Sequence, residues 1–303
     1  MSEVADPDAR RRIAARPPEI EEWLNGRVIH PLSDRLTTAL VPTGITPNMV
    51  SAFGVVASAG AGIFYAMPGW PAATVVAFLF HLGWHVFDGA DGDLARRTGK
   101  SSPNGEIVDG ICDYLSHVFV YGFLAWVLSL QLGGWAWLIA LAAGVSRAVQ
   151  ANHYESARRT YQWWVYGHPW MRQSHTDAPL PASGFARFGA RLARSYLAVS
   201  EWASADDSAV VAHHDRLMAG PGAGAARDLY AREYLRIVKR AAKLGALHET
   251  QAIFVSMLLF TPFGWGPLPV FLYELVVLNG LMAWSITAQR RANTRLAAAF
   301  AAL

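Results

Sequence analysis

The sequence predicts an all-helical (all-α) integral membrane protein with six transmembrane helices and with both chain ends in the cytoplasm. Three observations lead to this fold class: the composition, the number of apolar segments, and the charge of the loops between them. Of the 303 residues, 53% are hydrophobic and only 16% are charged, whereas soluble domains average about 25% charged residues. The charges are also clumped, as expected when charge is confined to loops and to a few functional positions.

Six segments come close to the ~20 apolar residues that one span of a bilayer needs. They are residues 49–67, 71–87, 107–130, 135–151, 247–264 and 268–288. Arginine and lysine precede the first segment, follow the sixth, and lie between the second and third and between the fourth and fifth, whereas the other three connections are uncharged. By the positive-inside rule, this alternation predicts that the basic loops and both termini are cytoplasmic.

The spans divide the chain into four parts. These are a cytoplasmic N-terminal segment (1–40), spans one to four (41–157), a cytoplasmic helical insertion (158–245), and spans five and six with a C-terminal tail (246–303). Helical spacing of apolar residues within 17–40 predicts an amphipathic helix that lies on the membrane surface or packs on the protein's own spans. The same pattern in 185–202 and 229–238 predicts two amphipathic helices in the insertion.

Composition also excludes several classes of protein. The formal net charge is only +3 and lysine occurs at three positions, so the long basic surfaces typical of nucleic-acid binding are not predicted. Cys112 is the single cysteine, which excludes an internal disulfide and a cysteine-based zinc site.

Four aspartates flank the loop between the second and third spans. Asp88 and Asp91 are three residues apart at the end of the second span, and Asp109 and Asp113 are four apart at the start of the third. Residues at these spacings share one face of a helix. Because the short loop around Ser101-Ser102-Pro103 folds the two helices antiparallel, we expect the four carboxylates to face one another at the edge of the bilayer.

Carboxylates crowded in this way repel one another, and a low dielectric increases the cost. Divalent cations remove that cost, and all-oxygen ligands favour hard ions such as Mg²⁺, Mn²⁺ or Ca²⁺ over zinc. Two ions about 3.5–4 Å apart would clamp a pyrophosphate group. The small residues Gly89, Gly92, Ala95 and Gly105 are expected to leave room for a nucleotide, and Arg96 offers hydrogen-bond donors to a phosphate or a carboxylate.

The stretch from Asp88 to Asp113 resembles the signature of the CDP-alcohol phosphotransferase (CDP-alcohol phosphatidyltransferase) family. The signature reads Asp, two residues, Asp-Gly, two residues, Ala-Arg, eight residues, Gly, three residues, Asp, three residues and Asp, and each position matches. The six-span layout and Thr46-Pro47-Asn48 at the start of the first span also look like this family. Residues 158–245 do not belong to the common core.

The resemblance implies a specific set of roles. Asp88, Asp91 and Asp109 would bind metal, and Asp113 would complete the metal site and act as the base on the acceptor hydroxyl. Asp88, Asp91, Gly92, Ala95, Arg96, Gly105 and Asp109 would line the CDP pocket. Two divalent ions, Mg²⁺ or Mn²⁺, would serve as cofactors, one substrate or product would be a lipid in the bilayer, and the protein would form a homodimer.

The identity of the substrates has two interpretations. In one, CDP-diacylglycerol donates to a polar alcohol such as inositol phosphate, glycerol phosphate or serine. In the other, a CDP-linked choline, ethanolamine or inositol is the donor to a lipid or polyol hydroxyl. A local similarity of residues 96–106 to aminoalcohol phosphotransferases favours this second interpretation. Polar residues at the end of the fourth span are candidates for the alcohol pocket: Arg147, His153, Glu155 and Arg158.

Two other classes of protein fit part of the pattern. A divalent-cation transporter would also need acidic residues, but transporters tend to hold the ion near the membrane midplane, often with repeat symmetry. The aspartates here lie at the predicted cytoplasmic boundary, and the sequence contains no repeat. A membrane scaffold would account for residues 158–245 but would leave the aspartates without a role. An enzyme is therefore the predicted class.

Overall fold

The structure of the chain is a computed structural model that describes residues 17–67, 69–166, 210, 213, 216–218, 220 and 222–301. This part of the chain is all-helical and contains no strand, as the sequence predicts. The predicted amphipathic stretch at 185–202 lies outside the described residues.

The described residues form nine α-helices, labelled in chain order. They are α1 (His30–Leu40), α2 (Pro47–Ala66), α3 (Ala72–Arg97), α4 (Pro103–Leu132), α5 (Trp135–Tyr166), α6 (Ala223–Ala241), α7 (Ala246–Phe260), α8 (Pro267–Leu272) and α9 (Asn279–Phe300). A π-helical turn (Asn25–Ile29) precedes α1, and another (Tyr273–Leu278) joins α8 to α9. A short 3₁₀ turn (Ala242–Leu244) separates α6 from α7.

Helices occupy all six segments for which the sequence predicts a span. Four stretches of the described helices are long and apolar enough to cross a membrane: Pro47–Ala66, Ala72–Arg97, Val108–Leu132 and Pro267–Phe300. A fifth arises if Ala223–Leu244 and Ala246–Phe263, which meet at a bend of 47°, form one broken span. The predicted fourth span lies in α5, where the polar residues of 146–153 reduce the mean hydropathy. Six spans and the cytoplasmic position of both ends stay predictions.

Local sequence explains where the helices on either side of the aspartates begin. Thr46 caps α2, and its hydroxyl accepts a hydrogen bond from the amide of Met49. Ser102 caps α4 in the same way, with its hydroxyl 3.1 Å from the amide nitrogen of Gly105. A serine or threonine at this position satisfies one of the amide groups that have no partner within the first turn of a helix. The Ser102 cap therefore starts α4 a few residues before Asp109.

The first core joins α2, α3, α4, α5, α7 and α8. It contains small side chains such as Ala61, Ala77 and Ala140 around larger residues such as Tyr65 and Phe271. At Gly62 an added Cβ would lie 2.5 Å from a ring atom of Phe123 and 3.2 Å from the carbonyl oxygen of Phe119. The close approach of α2 to α4 therefore requires glycine at this position, as is common between membrane helices.

The N-terminal amphipathic segment packs on α3. Ser33 donates a hydrogen bond to the carbonyl oxygen of Val86 at 2.9 Å, and Thr37 donates to that of Ala90 at 3.3 Å. The sequence leaves open whether this helix lies on the membrane surface or packs on the protein's own spans. The structure contains the contact with the spans. Trp23 and Leu32 lie on the exposed side, with 69% and 43% of their surface accessible.

A second core joins the C-terminal halves of α5 and α9 to α6. It is rich in aromatic residues, including Tyr161, Trp164, Tyr230 and Tyr234. The predicted helix at 229–238 is confirmed as part of α6. Because α5 runs unbroken to Tyr166, the predicted domain boundary between residues 157 and 158 falls inside a helix, and the described part of the insertion shares a core with the spans.

Candidate active site

The turn between α3 and α4 brings three aspartates together. One carboxylate oxygen from each of Asp88, Asp109 and Asp113 lies within 4.8 Å of the others. Asp88 is exposed and the other two are half-buried. Convergence of the two helix faces, which the sequence predicts from the spacing of the aspartates, is thus present for these three residues.

Asp91 is held slightly apart from these three. Its side chain is buried, and one carboxylate oxygen accepts a short hydrogen bond from the hydroxyl of Ser51 on α2. Asp91 lies outside the group within 4.8 Å, although it is close enough to Asp88 and Asp109 to interact with their charges. Its spacing from Asp88 predicts a shared face but not the contact with Ser51, which depends on how α2 packs against α3. The role of Asp91 as a metal ligand stays a prediction.

Two arginines at the end of α3 have different surroundings. Arg96 is exposed, and its guanidinium lies 3.9 Å from Asp93 and over Gly92, where an added Cβ would be 3.3 Å from Arg96 Nη1. Arg97 instead contacts both Asp93 and Asp34 and donates to Thr38. Arg96 is therefore the arginine available to a ligand, whereas Arg97 ties α3 to α1. Asp93 was not among the predicted site residues, although its spacing of four from Arg97 indicates an ion pair.

The small residues around the aspartates fall into two groups. Gly92, Ala95 and Gly105, predicted for the CDP pocket, are half-buried on the sides of α3 and α4 near the aspartates. Gly89 was also expected to leave room for a nucleotide, but an added Cβ there would lie 2.8 Å from Ser33 Oγ on α1. The expectation for Gly89 is therefore wrong, because the space beside it is filled by α1.

A layer of histidines lies one helical turn beyond the aspartates, away from the α3–α4 loop. His117 on α4 donates through Nδ1 to the carbonyl oxygen of Asp113 at 2.9 Å, and its Nε2 is 3.4 Å from Glu249 on α7. On α3, Nε2 of His85 lies 2.9 Å from the hydroxyl of Thr250. Sequence reasoning did not select His85 or His117; the signal was their helical spacing from Asp88 and Asp113.

Arg147, predicted for the alcohol pocket, is buried among protein groups. Its guanidinium lies 3.0 Å from Glu249 and donates to Gln150 and to the carbonyl oxygens of Leu244 and Gly245. Only 3% of the surface of Arg147 is accessible. These contacts favour a structural role for Arg147 in joining α5 to the start of α7.

The other predicted pocket residues are also held by the protein. His153 is fully buried and its Nε2 lies 2.9 Å from Ser285 Oγ. Glu155 accepts from Arg158 at 2.5 Å and from Arg159 at 2.7 Å. Burial alone would raise the pKa of Glu155, but the two arginines outweigh burial and hold this pKa below its ordinary value. Contact of these residues with a substrate stays a prediction, and their present partners favour a structural role.

Glu274, an acidic residue within the predicted sixth span, has protein partners. Its Oε1 accepts a hydrogen bond from the hydroxyl of Tyr121 at 2.8 Å, and its backbone carbonyl accepts from Gln150 at 2.9 Å. Only 1% of the surface of Glu274 is accessible. It therefore joins α4 and α5 to the turn before α9.

The donor set of the aspartate cluster fits a divalent metal ion. Three like charges within 4.8 Å repel one another strongly, and a cation between them replaces this repulsion by attraction. Oxygen is the only ligand atom that the cluster offers, so Mg²⁺ and Mn²⁺ suit it better than softer metals. Asp88, Asp109 and Asp113 are therefore the residues best placed to hold such an ion.

Comparison with known proteins adds to this geometry. The family description that matches residues 44–177 is CDP-alcohol phosphatidyltransferase. The chain is 36% identical to a phosphatidylinositol phosphate synthase of Mycobacterium marinum over 102 residues, which are 33% of this chain and 40% of the relative. It is 33% identical to the Mycobacterium tuberculosis protein of that name over 103 residues, 32% of this chain and 46% of the relative.

A eukaryotic relative matches a similar share of this chain. Cholinephosphotransferase 1 of Danio rerio is 35% identical over 92 residues, which are 26% of this chain and 23% of the relative. The chain thus spans less than half the length of each of these relatives. The matched region contains the aspartates of α3 and α4, whereas α6 to α9 lie beyond it. Residues 44–177 of this chain therefore match a CDP-alcohol phosphatidyltransferase domain.

Proposed function

We propose that the chain catalyses the metal-dependent transfer of a substituted phosphate group from a CDP-alcohol to an acceptor hydroxyl, with release of CMP. The observation that carries this proposal is the convergence of Asp88, Asp109 and Asp113 within 4.8 Å, inside the region that matches the family. The names of the relatives add support, since they describe synthesis of phosphatidylinositol phosphate and transfer of phosphocholine.

Two divalent ions, Mg²⁺ or Mn²⁺, are proposed to bind the four aspartates Asp88, Asp91, Asp109 and Asp113. Bound divalent cations would neutralise the negative charge that gathers on the phosphate oxygens during transfer. The hydrogen bond from Ser51 orients Asp91 from the α2 side. Asp88 is the most exposed member of the cluster and would therefore meet the incoming nucleotide phosphates first.

Asp113 is proposed as the base that accepts the proton of the acceptor hydroxyl. The acceptor oxygen then forms a bond to the phosphorus that carries the donor alcohol, and the bond from this phosphorus to the CMP oxygen breaks. CMP leaves with the electron pair of that bond. A positioned base of this kind contributes about 10²–10⁴-fold to a rate.

The nucleotide is proposed to bind along the exposed side of the C-terminal turns of α3. Gly92 and Ala95 present little side chain there, and Gly105 does the same on α4. Arg96 keeps 46% of its side chain exposed, so its guanidinium is accessible to a phosphate oxygen. The neighbouring Asp93 holds Arg96 only loosely, at 3.9 Å.

For the substrates, we propose CDP-diacylglycerol as donor and a polar alcohol such as inositol phosphate as acceptor. Several relatives are phosphatidylinositol phosphate synthases, which supports a phosphorylated acceptor. Arg159 is a candidate to contact its phosphate group, since 52% of its side chain is exposed although its Nε pairs with Glu155. Glycerol phosphate and serine are the other polar acceptors to compare.

A second candidate is the transfer of a CDP-linked small alcohol, of the choline, ethanolamine or inositol type, to a lipid or polyol hydroxyl. The match to a cholinephosphotransferase favours this candidate. The surroundings of Arg147 and Arg158 also favour it, because both arginines are already paired with glutamates. A phosphate-free alcohol would not need them.

We also propose six spans, a site that faces the cytoplasm, and a homodimer as the resemblance implies. Support for a span in α5 comes from Leu138, Leu141 and Val145, which expose 57%, 66% and 60% of their surface along one side of the helix. An apolar stripe of this kind suits contact with lipid.

The test is CMP release by the full-length protein, purified in detergent, with Mg²⁺ or Mn²⁺. CDP-diacylglycerol, CDP-choline, CDP-ethanolamine and CDP-inositol are each offered with polar and lipid acceptors. We expect one donor and one acceptor to support release, and Asp113→Asn to reduce kcat by ~10²–10⁴-fold. Thermal unfolding of the variant serves as the folding control.

Failure would take one of two forms. If no donor yields CMP although Mn²⁺ binds, the enzymatic proposal is wrong, and Mn²⁺ flux in proteoliposomes then tests a cation transporter. If Asp113→Asn retains the wild-type kcat, the role of Asp113 as base is wrong even though the reaction class stands.

A further inference from the structure

Two histidines occupy equivalent positions beneath the aspartate cluster. His85 precedes Asp88 by three residues on α3, and His117 follows Asp113 by four residues on α4. At these spacings each histidine lies one turn from its aspartate on the same side of the helix. The His117 ring packs edge to face with Trp84, with ring centroids 5.1 Å apart, which limits the space in which the imidazole can turn.

Consecutive residues of α7 contact both histidines. Glu249 lies 3.4 Å from Nε2 of His117, and Thr250 Oγ1 lies 2.9 Å from Nε2 of His85. Both α7 residues are buried, with 3% and 0% of their surface accessible. The first turn of α7 therefore touches both helices that carry the aspartates, although α7 lies beyond the matched residues 44–177.

The first turn of α7 is itself anchored by Arg147 of α5. This arginine pairs with Glu249 at 3.0 Å and donates to the carbonyl oxygens of Leu244 and Gly245. These carbonyls belong to the junction at which α6 and α7 meet at 47°. Arg147 thus holds both the bend and the residue that contacts His117.

We propose that the first turn of α7 is the positioning element of the aspartate site. Glu249 acts through His117 on the backbone at Asp113, and Thr250 acts through His85 on the turn of α3 that carries Asp88. Together the two contacts set the rotation of α3 and α4 about their axes, and hence the separation of the carboxylates. Ligand groups must be held within roughly 0.5 Å of the productive geometry, and mutually repelling carboxylates need an outside support to stay there.

The test measures Mn²⁺ binding to the full-length protein in detergent. Electron paramagnetic resonance reports the concentration of free Mn²⁺. His117→Ala removes the link to Asp113 and keeps the Arg147–Glu249 pair, and Thr250→Val removes the contact with His85. We expect each variant to bind Mn²⁺ about 10-fold or more weakly, as is typical when outer-shell partners are lost.

Two control variants change other residues of α7, the helix that carries Thr250. His248→Ala removes a histidine contact with Tyr273, and Ser256→Ala removes a buried hydrogen bond to the carbonyl oxygen of Gly266. Neither contact reaches α3 or α4, so we expect Mn²⁺ affinity within about 2-fold of wild type, since changes distant from the ligands leave their geometry intact. Thermal unfolding of all four variants measures the general loss of stability.

A double variant tests whether Glu249 acts through His117. If it does, Glu249→Gln should weaken Mn²⁺ binding by itself, and should weaken it little further once His117→Ala is present. Additive losses would contradict a shared path. The proposal is overturned if folded His117→Ala and Thr250→Val bind Mn²⁺ like wild type, or if the controls lose affinity equally.

The positioning role of the first turn of α7 rests on the proposed function, but experiments can contradict the role and the reaction separately. Absence of CMP release from the wild-type protein would contradict the proposed reaction, but the Mn²⁺ affinities of the variants could still be compared. Conversely, wild-type Mn²⁺ affinity and kcat in His117→Ala and Thr250→Val would remove the positioning role and leave the reaction intact.

Discussion

Two charged clusters of this protein, the aspartates of α3 and α4 and the Glu155 ion pairs of α5, both contain carboxylates but differ in net charge. In the first, carboxylates of Asp88, Asp109 and Asp113 converge within 4.8 Å. In the second, Glu155 lies between Arg158 and Arg159 at 2.5 and 2.7 Å. The sequence offers both as candidate sites, since both are polar clusters beside apolar helices.

The difference in balance separates a cation site from a structural ion pair. Carboxylates that face one another are stabilised either by a shared proton or by a bound cation, so their arrangement favours a cation ligand. A carboxylate that two guanidinium groups already neutralise needs no further ion. The comparison therefore supports the aspartates as the proposed metal site and favours a structural role for Glu155.

The largest expected effect is stabilisation of the aspartate cluster by a cation. Mn²⁺ at about 100 times its dissociation constant should add ~2.7 kcal/mol to the free energy of unfolding and raise Tm by several degrees, since each kcal/mol shifts Tm by about 2–4 °C in domains of 150–250 residues. Asp109→Asn should lose most of this increment, whereas Glu155→Gln should keep it. Differential scanning fluorimetry with and without chelator measures both, and equal responses of the two variants would break the comparison.

A smaller effect is expected for Glu155 and depends on pH. Its folded-state pKa is depressed, so its contribution to stability is fully present above the ordinary glutamate pKa and is lost as the pH falls through the folded value. Wild-type Tm should therefore exceed that of Glu155→Gln at pH 7, and the gap should narrow as the solution is made acidic.

Kinetics sharpen the assignment of Glu155. We expect KM for donor and acceptor to be unchanged in Glu155→Gln, because Glu155 is occupied by two arginines and the exposed Arg159 keeps its charge without it. A rise in KM for the alcohol with little loss of Tm would instead support the substrate contact that the sequence predicts.

The smallest effect is expected beside the aspartates, at the contact between α1 and α3. In Gly89→Ala the new Cβ would lie 2.8 Å from Ser33 Oγ. Overpacking of this kind costs about 1–3 kcal/mol, and the better helix propensity of alanine offsets about 1 kcal/mol of that cost. Ser33→Ala in the same chain should recover part of that loss, because it removes the clashing oxygen. Chemical unfolding of the two single variants and the double variant measures the coupling, and strictly additive losses would mean that the two residues do not collide.

Much of the fold follows from local pattern. The apolar segments predict where the helices lie, and Ser102 predicts where α4 begins, since a capping hydroxyl acts on its own first turn. The facing of Asp88, Asp109 and Asp113 also follows from helical spacing and a short loop. Gly245 marks the break between α6 and α7. The angle of this bend and the continuation of α5 to Tyr166 do not follow from local pattern, because both depend on how these helices pack against others.

Within the site, contacts between distant segments escaped sequence reasoning. Ser51 on Asp91 is a contact between residues 40 positions apart, and Thr250 on His85 joins residues 165 apart. Gly89 was misjudged for the same reason, since the residue that fills its space comes from α1. Helical periodicity specifies which residues share a face but not which other helix that face meets.

The sequence by itself determined the helical class, the aspartate constellation and the resemblance to a family, because these depend on spacing within one or two adjacent helices. Only the tertiary structure decided which polar residues are neutralised by neighbours and which converge as like charges. Arg147 illustrates the limit: as a sequence position it is a candidate substrate contact, and in the folded chain it pairs with Glu249, 102 residues away. Charge balance depends on distances between segments far apart in the chain, and packing sets those distances.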